Sequence, residues 1–183
     1  MKIEQDLVGK ERTKTMKLKF RKLNADEIEV RIGTAKYENP KDHSSKILGA
    51  SYLLYKNARV DMTLLDESVG AINWQRTHEF KDGKLYCTVS IYDEHKGLWV
   101  SKEDVGVESN TEAEKGQASD SFKRACFNWG IGRELYTSPF IWIKPTSQED
   151  LKYTKFYVKE IEYTNDVISK LVIVDKDGNI RFT

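Results

Sequence analysis

The sequence contains few of the residues that build disulfide frameworks or metal sites. It has two cysteines, Cys87 and Cys126, which are far apart in apolar surroundings, and three histidines that show no zinc-ligand spacing with them. The N-terminal residues contain no apolar segment typical of a secretory signal. We therefore expect two reduced, buried thiols in a cytoplasmic protein.

Long apolar runs and a strong net charge are also missing. No segment approaches the ~20 apolar residues needed to cross a bilayer, so we expect no membrane partner. The formal net charge is +1, which means that a polyanion would be bound by a local patch rather than by overall attraction. A phosphate-binding loop of the form G-x-x-x-x-G-K-[ST] is absent, and nothing predicts nucleotide hydrolysis or a cofactor.

The apolar residues that are present suffice for one core. With 183 residues, of which 39% are hydrophobic, the chain predicts one domain with at most a small appendage. We divide it into a basic N-terminal arm at residues 1–22, a core at residues 23–145 and a C-terminal β extension of the same domain at residues 146–183. The arm carries eight basic and three acidic side chains, a pattern typical of a solvated segment or of an auxiliary phosphate contact.

Hydrophobic periodicity predicts an α+β fold with a β-β-β-α core. Asn57 is the predicted N-cap of a helix at residues 58–69 that ends at Gly70. The hydrophobic period then changes to that of strands, and an Asp82-Gly83 turn joins the first two strands of a three-stranded antiparallel meander. The first helix is predicted to bury one stripe, which consists of Ala58, Met62, Leu65 and Val69.

A second helix follows the meander, and further strands follow that helix. The segment at residues 23–37 shows both strand alternation and a helix-start signal, so it stays unassigned. The runs after Pro145 predict additional C-terminal strands that pack on the main sheet or extend it. The buried stripe of the second helix spans about 100° and consists of Ala118, Phe122, Ala125, Cys126 and Trp129.

The outer face of the second helix carries a basic pair and an aromatic residue. Lys123 and Arg124 project away from the buried stripe, and Phe127 lies one turn after them, so the three side chains meet. One interpretation is an Asp120–Arg124 ion pair beside a subunit or domain contact made by Phe127. The other is a nucleic-acid groove, in which the cations neutralise phosphates and the ring stacks on bases.

Three more basic residues are secondary candidates for phosphate contacts. They are Lys102 on the third strand, Lys115 at the start of the second helix, and Arg133 after the glycines that end it. Arg133 lies near the helix C-terminus, where the macrodipole favours a cation, so its structural role is that of a cap. Lys102 and Lys115 have ordinary surface charge as their structural interpretation.

Six short motifs between Tyr52 and Tyr136 follow one another in the order found in a known family. They are ARV at 58–60, Gly70 with Trp74, EDVG at 103–106, KG at 115–116, SDSFKRA at 119–125 and WGIGRELY at 129–136. This part of the chain resembles the Rad-fifty-two type of single-strand annealing protein, especially its phage-encoded branch. SDSFKRA followed by WGIGR is the most specific element.

The resemblance implies ATP-independent binding of single-stranded DNA and annealing of complementary strands in homologous recombination and double-strand break repair. In that family a β-β-β-α unit assembles into a homo-oligomeric ring, and the DNA lies in a basic groove that runs round it. Lys123 and Arg124 match the groove-lining basic pair, and Arg59 matches a basic residue of the earlier helix. At the position of Phe127 the eukaryotic members carry another basic residue, so the resemblance does not carry that phosphate contact over to this chain and leaves an aromatic contact open.

Several expectations about cellular role follow from the same resemblance. The protein would not be an enzyme and would need no cofactor. It would act in the cytoplasm of a bacterial host if it is phage-encoded. A host or phage single-strand-binding protein is a further candidate partner.

Two other functions fit parts of the sequence. A metal-dependent nuclease would use carboxylates in or next to the meander, namely Asp93, Glu94, Glu103 and Asp104. A passive coating protein for single-stranded DNA would use a stacking platform on the sheet, formed by Trp74, Trp99, Tyr86 and Tyr92. Solvated turns and cross-strand packing are the ordinary roles of these residues.

Overall fold

The computed structural model describes residues 18–107, 113–146 and 149–183, and only the backbone of residues 113–115. Over these ranges the chain forms nine β-strands and two α-helices, and no helix there has the length and hydropathy to cross a membrane. The predicted α+β class is confirmed. The strands are β1 (Ile28–Tyr37), β2 (Ile47–Lys56), β3 (Trp74–Lys81), β4 (Lys84–Asp93), β5 (Leu98–Val105), β6 (Ile141–Ile143), β7 (Phe156–Thr164), β8 (Val167–Asp175) and β9 (Ile180–Phe182); the helices are α1 (Ala58–Val69) and α2 (Ala113–Trp129).

The strands form two antiparallel sheets. Strands β3, β4 and β5 make the predicted meander, and a second sheet has the order β6-β2-β1-β7-β8-β9. The second sheet is nearly closed, since its edge strands β6 and β9 contact each other. The C-terminal strands therefore join β1 and β2 in a separate sheet rather than extending the meander. The boundaries predicted for an arm, a core and an extension remain predictions, and residues 1–17 of the arm lie outside the described residues.

Local sequence signals explain where several elements begin and end. Asn57 accepts a hydrogen bond of 3.0 Å from the backbone N–H of Arg59 and so caps α1, which ends at Gly70 as predicted. Asp82 and Gly83 have φ of +50° and +74°, the mirror-image turn geometry that suits a two-residue hairpin. The unassigned segment is a short 3-10 helix followed by β1.

Each helix buries a face close to the predicted one. In α2, Phe122, Ala125 and Cys126 are buried as predicted, whereas Ala118 and Trp129 are half-buried. In α1 the buried face is rotated from the predicted stripe: the fully buried residues are Asp61, Leu64 and Leu65. The stripe that hydropathy alone predicted for α1 was therefore wrong in part, because it excluded a buried acid.

Helix α2 lies across β4 and β5, and it approaches the end of β5 very closely. A Cβ atom placed on Gly106 would lie 2.9 Å from the backbone nitrogen of Ser121 and closer still to the carbonyl oxygen of Gln117. Backbone atoms cannot rotate aside as the tip of a side chain can. Gly106 therefore sets the distance between the meander and α2.

The chain after α2 forms a 3-10 turn at Arg133–Thr137 that is fixed to the rest of the protein by two hydrogen bonds. The buried carboxylate of Glu134 accepts from the backbone N–H of Leu23 at 2.9 Å. The hydroxyl oxygen of Thr137 accepts from the backbone N–H of Ile168, also at 2.9 Å. The position of this turn relative to both sheets is thereby set.

A buried ion pair joins the end of β2 to the start of α1. The Lys56 ammonium donates to Oδ1 of Asp61, and both side chains are buried. Gly132 leaves room for Lys56, because a Cβ there would lie 2.9 Å from Lys56 Cδ. Oδ2 of Asp61 has no hydrogen-bond partner within the described ranges. Burial raises the pKa of Asp61 to about 6, against the opposing charges of Lys56 and Lys123.

We expect Gly106→Ala to lower the free energy of unfolding by roughly 1–3 kcal/mol, because β5 and α2 must move apart to admit a methyl group. Urea denaturation followed by circular dichroism measures this change. Gly33→Ala is the matched control, since its Cβ would be nearest the movable Ser51 hydroxyl at 3.1 Å, and we expect a smaller effect there. Equal losses in the two variants would argue against the close backbone approach.

The raised pKa of Asp61 predicts a pH-dependent stability. A group whose pKa is raised by folding stabilises the fold below its ordinary pKa and loses that contribution as the pH rises through the raised value. Relative to Asp61→Asn, the wild type should therefore lose on the order of 1–3 kcal/mol of stability between about pH 4 and pH 6. Urea denaturation of both proteins across this range tests it. A difference that grows with pH would mean that attraction to Lys56 outweighs the desolvation of Asp61.

Candidate nucleic-acid interface

Lys123 and Arg124 leave α2 on different sides. Arg124 is exposed, and its Nε lies 3.2 Å from Oδ1 of Asp104 on β5. Lys123 is half-buried and lies toward α1, near enough to Asp61 for its charge to oppose the rise in that carboxyl's pKa. Arg124 thus points outward as predicted, whereas Lys123 is more enclosed than predicted.

Arg124 does not have the partner that helical spacing predicted. Spacing pairs it with Asp120, but the carboxylate that it contacts is Asp104, which also accepts from Nδ2 of Asn128 at 3.2 Å. Asp120 accepts from the backbone N–H of Val107 at 3.0 Å. The Arg124 side chain is 47% exposed, so its ion pair is of the weak, solvent-screened kind that a phosphate can displace or share.

Phe127 is not a bare ring on the solvent face, which corrects the expectation from the helical wheel. Its ring is half-buried, and its centroid lies 4.8 Å from that of Tyr136, with the planes at 56°. The guanidinium carbon of Arg133 lies 5.4 Å from the Phe127 centroid. Tyr136 is 81% exposed. The sequence pattern did not single out Tyr136; the available signal was its place three residues after Arg133 in a short 3-10 turn.

Arg133 caps the end of α2, as its position predicted. Its Nε and Nη2 each donate a hydrogen bond of 2.8 Å, to the backbone carbonyl oxygens of Phe127 and Asn128 respectively. The last carbonyls of a helix lack their usual i+4 partners, and the macrodipole favours a cation beside them. The Phe127 carbonyl also accepts from the backbone N–H of Gly130 at 2.9 Å. The Arg133 side chain is nevertheless exposed, so it keeps a surface for a second contact.

Lys102 lies at the same helix end, and its ammonium group contacts two residues there. Its ammonium donates to the Asn128 carbonyl at 2.7 Å and lies 4.7 Å from the ring centroid of Trp129. The side chain is half-buried. Lys102 therefore has a clear structural role, and a phosphate contact by it has less support than one by Arg124.

For the other two predicted basic residues, Arg59 and Lys115, the structure gives only their place in a helix. Arg59 is exposed in the first turn of α1, which packs against α2. The backbone of Lys115 lies in the first turn of α2, but its side chain falls outside the described residues. We give the name basic–aromatic face to five side chains: Lys123, Arg124, Phe127, Arg133 and Tyr136. Phe127 contacts Arg133 and Tyr136, while Lys123 and Arg124 lie one helical turn before it, Lys123 toward α1 and Arg124 toward β5.

The carboxylates considered for a nuclease are dispersed. Glu103 accepts from the Lys81 ammonium at 2.6 Å, on the side of the meander opposite α2, while its neighbour Asp104 points toward α2. Asp93 accepts hydrogen bonds inside the tight turn after β4. In the part of the chain that the structure describes, no group of three or more His, Cys, Asp or Glu side chains is arranged to hold a metal ion.

The aromatic residues considered for a stacking platform are divided between the two sides of the meander. Trp74 faces the helices and donates its Nε1–H to Asp66 at 2.6 Å. Tyr92 and Trp99 form an exposed edge-to-face pair, with centroids 5.4 Å apart, on the side opposite α2. Tyr86 lies on that same side. The platform is thus smaller than the sequence predicted.

In comparisons with family models, curated proteins and solved structures, nothing matches this chain. The resemblance to single-strand annealing proteins therefore rests on the motifs alone and remains a prediction. Any role for the basic–aromatic face has to follow from its own geometry and chemistry.

Proposed function

We propose that the protein binds single-stranded DNA on the basic–aromatic face and promotes the annealing of complementary strands without ATP. The supporting observation is the exposed Arg133 guanidinium beside the Phe127–Tyr136 ring pair, with the exposed Arg124 one helical turn before Phe127 on α2. Cations beside exposed aromatic rings are the combination that binds single-stranded nucleic acids. The SDSFKRA and WGIGR motifs supply most of these residues, so motif and geometry point to the same surface.

Arg124 is the best-placed phosphate ligand of this face. Only its Nε contacts Asp104, and at 3.2 Å that contact is long for a charge-assisted hydrogen bond. The planar guanidinium can therefore present its other N–H groups to a phosphate without first breaking the ion pair. Lys123 would add a flexible positive charge from the side of α1, and Arg59 would extend the basic surface onto that helix.

Annealing requires binding that lowers the electrostatic repulsion between two strands and still lets each strand move to find its complement. Neutralising phosphates releases counterions and holds the strand extended, so that its bases can be sampled by a complementary strand. Contacts to phosphate carry no base information, and we therefore expect poor sequence specificity. A net charge of +1 confines this attraction to the local face.

A homo-oligomer is part of the proposal, with a ring as the form that the resemblance implies. Within the described ranges, β3 and β5 each pair only with β4, so the meander has two open edges. Open edges of this length invite pairing with another chain. Side-by-side assembly would place the basic–aromatic faces in a continuous row. The proposed setting is recombination and break repair in a phage-infected cell, with a single-strand-binding protein as an additional partner.

Passive coating of single-stranded DNA is the second candidate function. The exposed Tyr92–Trp99 pair favours it, since such rings can stack on bases without promoting pairing. This pair lies on the opposite side of the meander from α2. The two functions therefore predict different surfaces and different effects on pairing.

Two complementary oligonucleotides, each carrying one member of a donor–quencher pair, test the proposal directly. We expect the protein to speed duplex formation by roughly tenfold or more at low salt, because it reduces phosphate repulsion. Slower pairing would identify a coating protein instead. Cleavage of the labelled strands with magnesium or manganese would indicate a nuclease and overturn the proposal.

We expect Lys123→Ala with Arg124→Ala to weaken binding of single-stranded DNA by roughly tenfold or more at low salt. The slope of log affinity against log salt concentration should fall by about 0.7 for each phosphate that the variant no longer neutralises. Fluorescence anisotropy with a labelled oligonucleotide measures both effects. The control, Lys159→Ala with Lys176→Ala, removes the same charge from two exposed residues, one on β7 and one in the turn after β8. Equal losses in the two double variants would refute a localised site.

A further inference from the structure

We propose that Tyr136 is a base-stacking residue, whose ring carries one nucleobase of a bound single strand while Arg133 holds a neighbouring phosphate. This inference rests on the proposed function and extends it. Phosphate contacts alone do not place the bases, whereas an annealing protein must present them to a second strand. The two residues differ in what they bind, so their contributions can be measured separately.

Tyr136 is held on one side and open on the other. Its ring contacts Phe127, with centroids 4.8 Å apart, yet the residue is 81% exposed. The half-buried Phe127 therefore acts as a support that fixes the orientation of the outer ring. A base that stacks on the open face of Tyr136 would add a third ring to this tilted pair.

The backbone that carries Tyr136 is anchored on both sides. Glu134 and Thr137, on either side of it, bond to the backbone N–H groups of Leu23 and Ile168. The adjacent Leu135 packs against the hydrophobic core. An aromatic ring presented by a fixed turn loses little conformational entropy when a ligand binds, which favours a platform role over that of a mobile surface residue.

A cation lies on the same side of the turn. Residues three apart in a 3-10 helix lie above one another, which places Arg133 and Tyr136 together. Arg133 uses Nε and Nη2 to cap α2, and within the described residues its Nη1 makes no hydrogen bond. The guanidinium is thus fixed along one edge and can donate to a phosphate from the other. This charge favours a nucleotide over an uncharged aromatic ligand.

Stacking suits annealing because it uses the face of a base and leaves the pairing edge free. Every base has such a face, so the contact adds affinity without sequence preference. Tyr153 provides a matched comparison: it is 83% exposed but lies in the segment that leads into β7. Exposure alone therefore does not distinguish Tyr136 from Tyr153. The anchored turn, the contact with Phe127 and the adjacent Arg133 distinguish it.

The test compares a thymidine oligonucleotide with an abasic strand of the same length and charge. By fluorescence anisotropy, the wild type should bind the thymidine strand more tightly. Tyr136→Ala should lose about tenfold in affinity for that strand and almost nothing for the abasic one. Tyr136→Trp should keep the preference, and Tyr153→Ala should match the wild type. In the unaltered protein, light-induced crosslinking of an oligonucleotide that contains 5-iodouracil should modify Tyr136.

Two outcomes would separate this inference from the function on which it rests. If the wild type binds single-stranded DNA but Tyr136→Ala retains the full preference for bases, and the crosslink maps to another residue, the stacking role is wrong and the function stands. If the wild type binds neither strand, the proposed function itself fails. The crosslink needs no substitution, so a variant that misfolds does not remove the test.

Discussion

The contact between the end of β5 and the backbone of α2 is the constraint on which the candidate site depends. Gly106 permits this contact, and the burial of Phe122 and Cys126 against the meander then fixes the rotation of the helix. Once that rotation is set, Arg124 can only emerge beside β5, and the helix must end where Lys102 and Arg133 reach its last carbonyls. The surface chemistry is therefore a consequence of how one helix lies on one sheet.

Competition between internal partners and solvent decides what each cation can do. The chain has 30 basic and 29 acidic residues, so a basic side chain commonly meets a carboxylate. The Lys56–Asp61 pair is buried and inaccessible to a ligand. The Arg124–Asp104 pair is exposed, and pairs of that kind contribute only about 0–1 kcal/mol, so a phosphate can compete for the arginine. Exposure, more than the mere presence of charge, therefore decides which of these two cations a ligand could reach.

The parts of the fold that could be predicted from the sequence are those specified by neighbours in the chain. The cap at Asn57 and the turn at Asp82-Gly83 depend on a few consecutive residues, and both are as predicted. The six-stranded sheet was not predictable in this way, because β1 pairs with β7 from the far end of the chain. The same limit applies to the site. The partner of Arg124 comes from β5, the enclosure of Lys123 depends on α1, and the support for Tyr136 comes from the preceding helix. Each is a tertiary contact that periodicity does not encode.

The Phe127–Tyr136 ring pair, in place of a further basic residue, changes how a DNA strand would be held. Binding through phosphates weakens as salt rises, because log affinity falls against log salt concentration with a slope of about 0.7 for each phosphate contacted on a single strand. Stacking of a base on a ring has no such dependence. The eukaryotic members of the family that the motifs resemble carry a basic residue at the Phe127 position, whereas here Phe127 contacts the exposed ring of Tyr136. The grip would therefore rely less on counterion release and more on the faces of the bases. A strand held partly by its bases stays ordered where the electrostatic grip weakens, and its pairing edges remain open to a second strand.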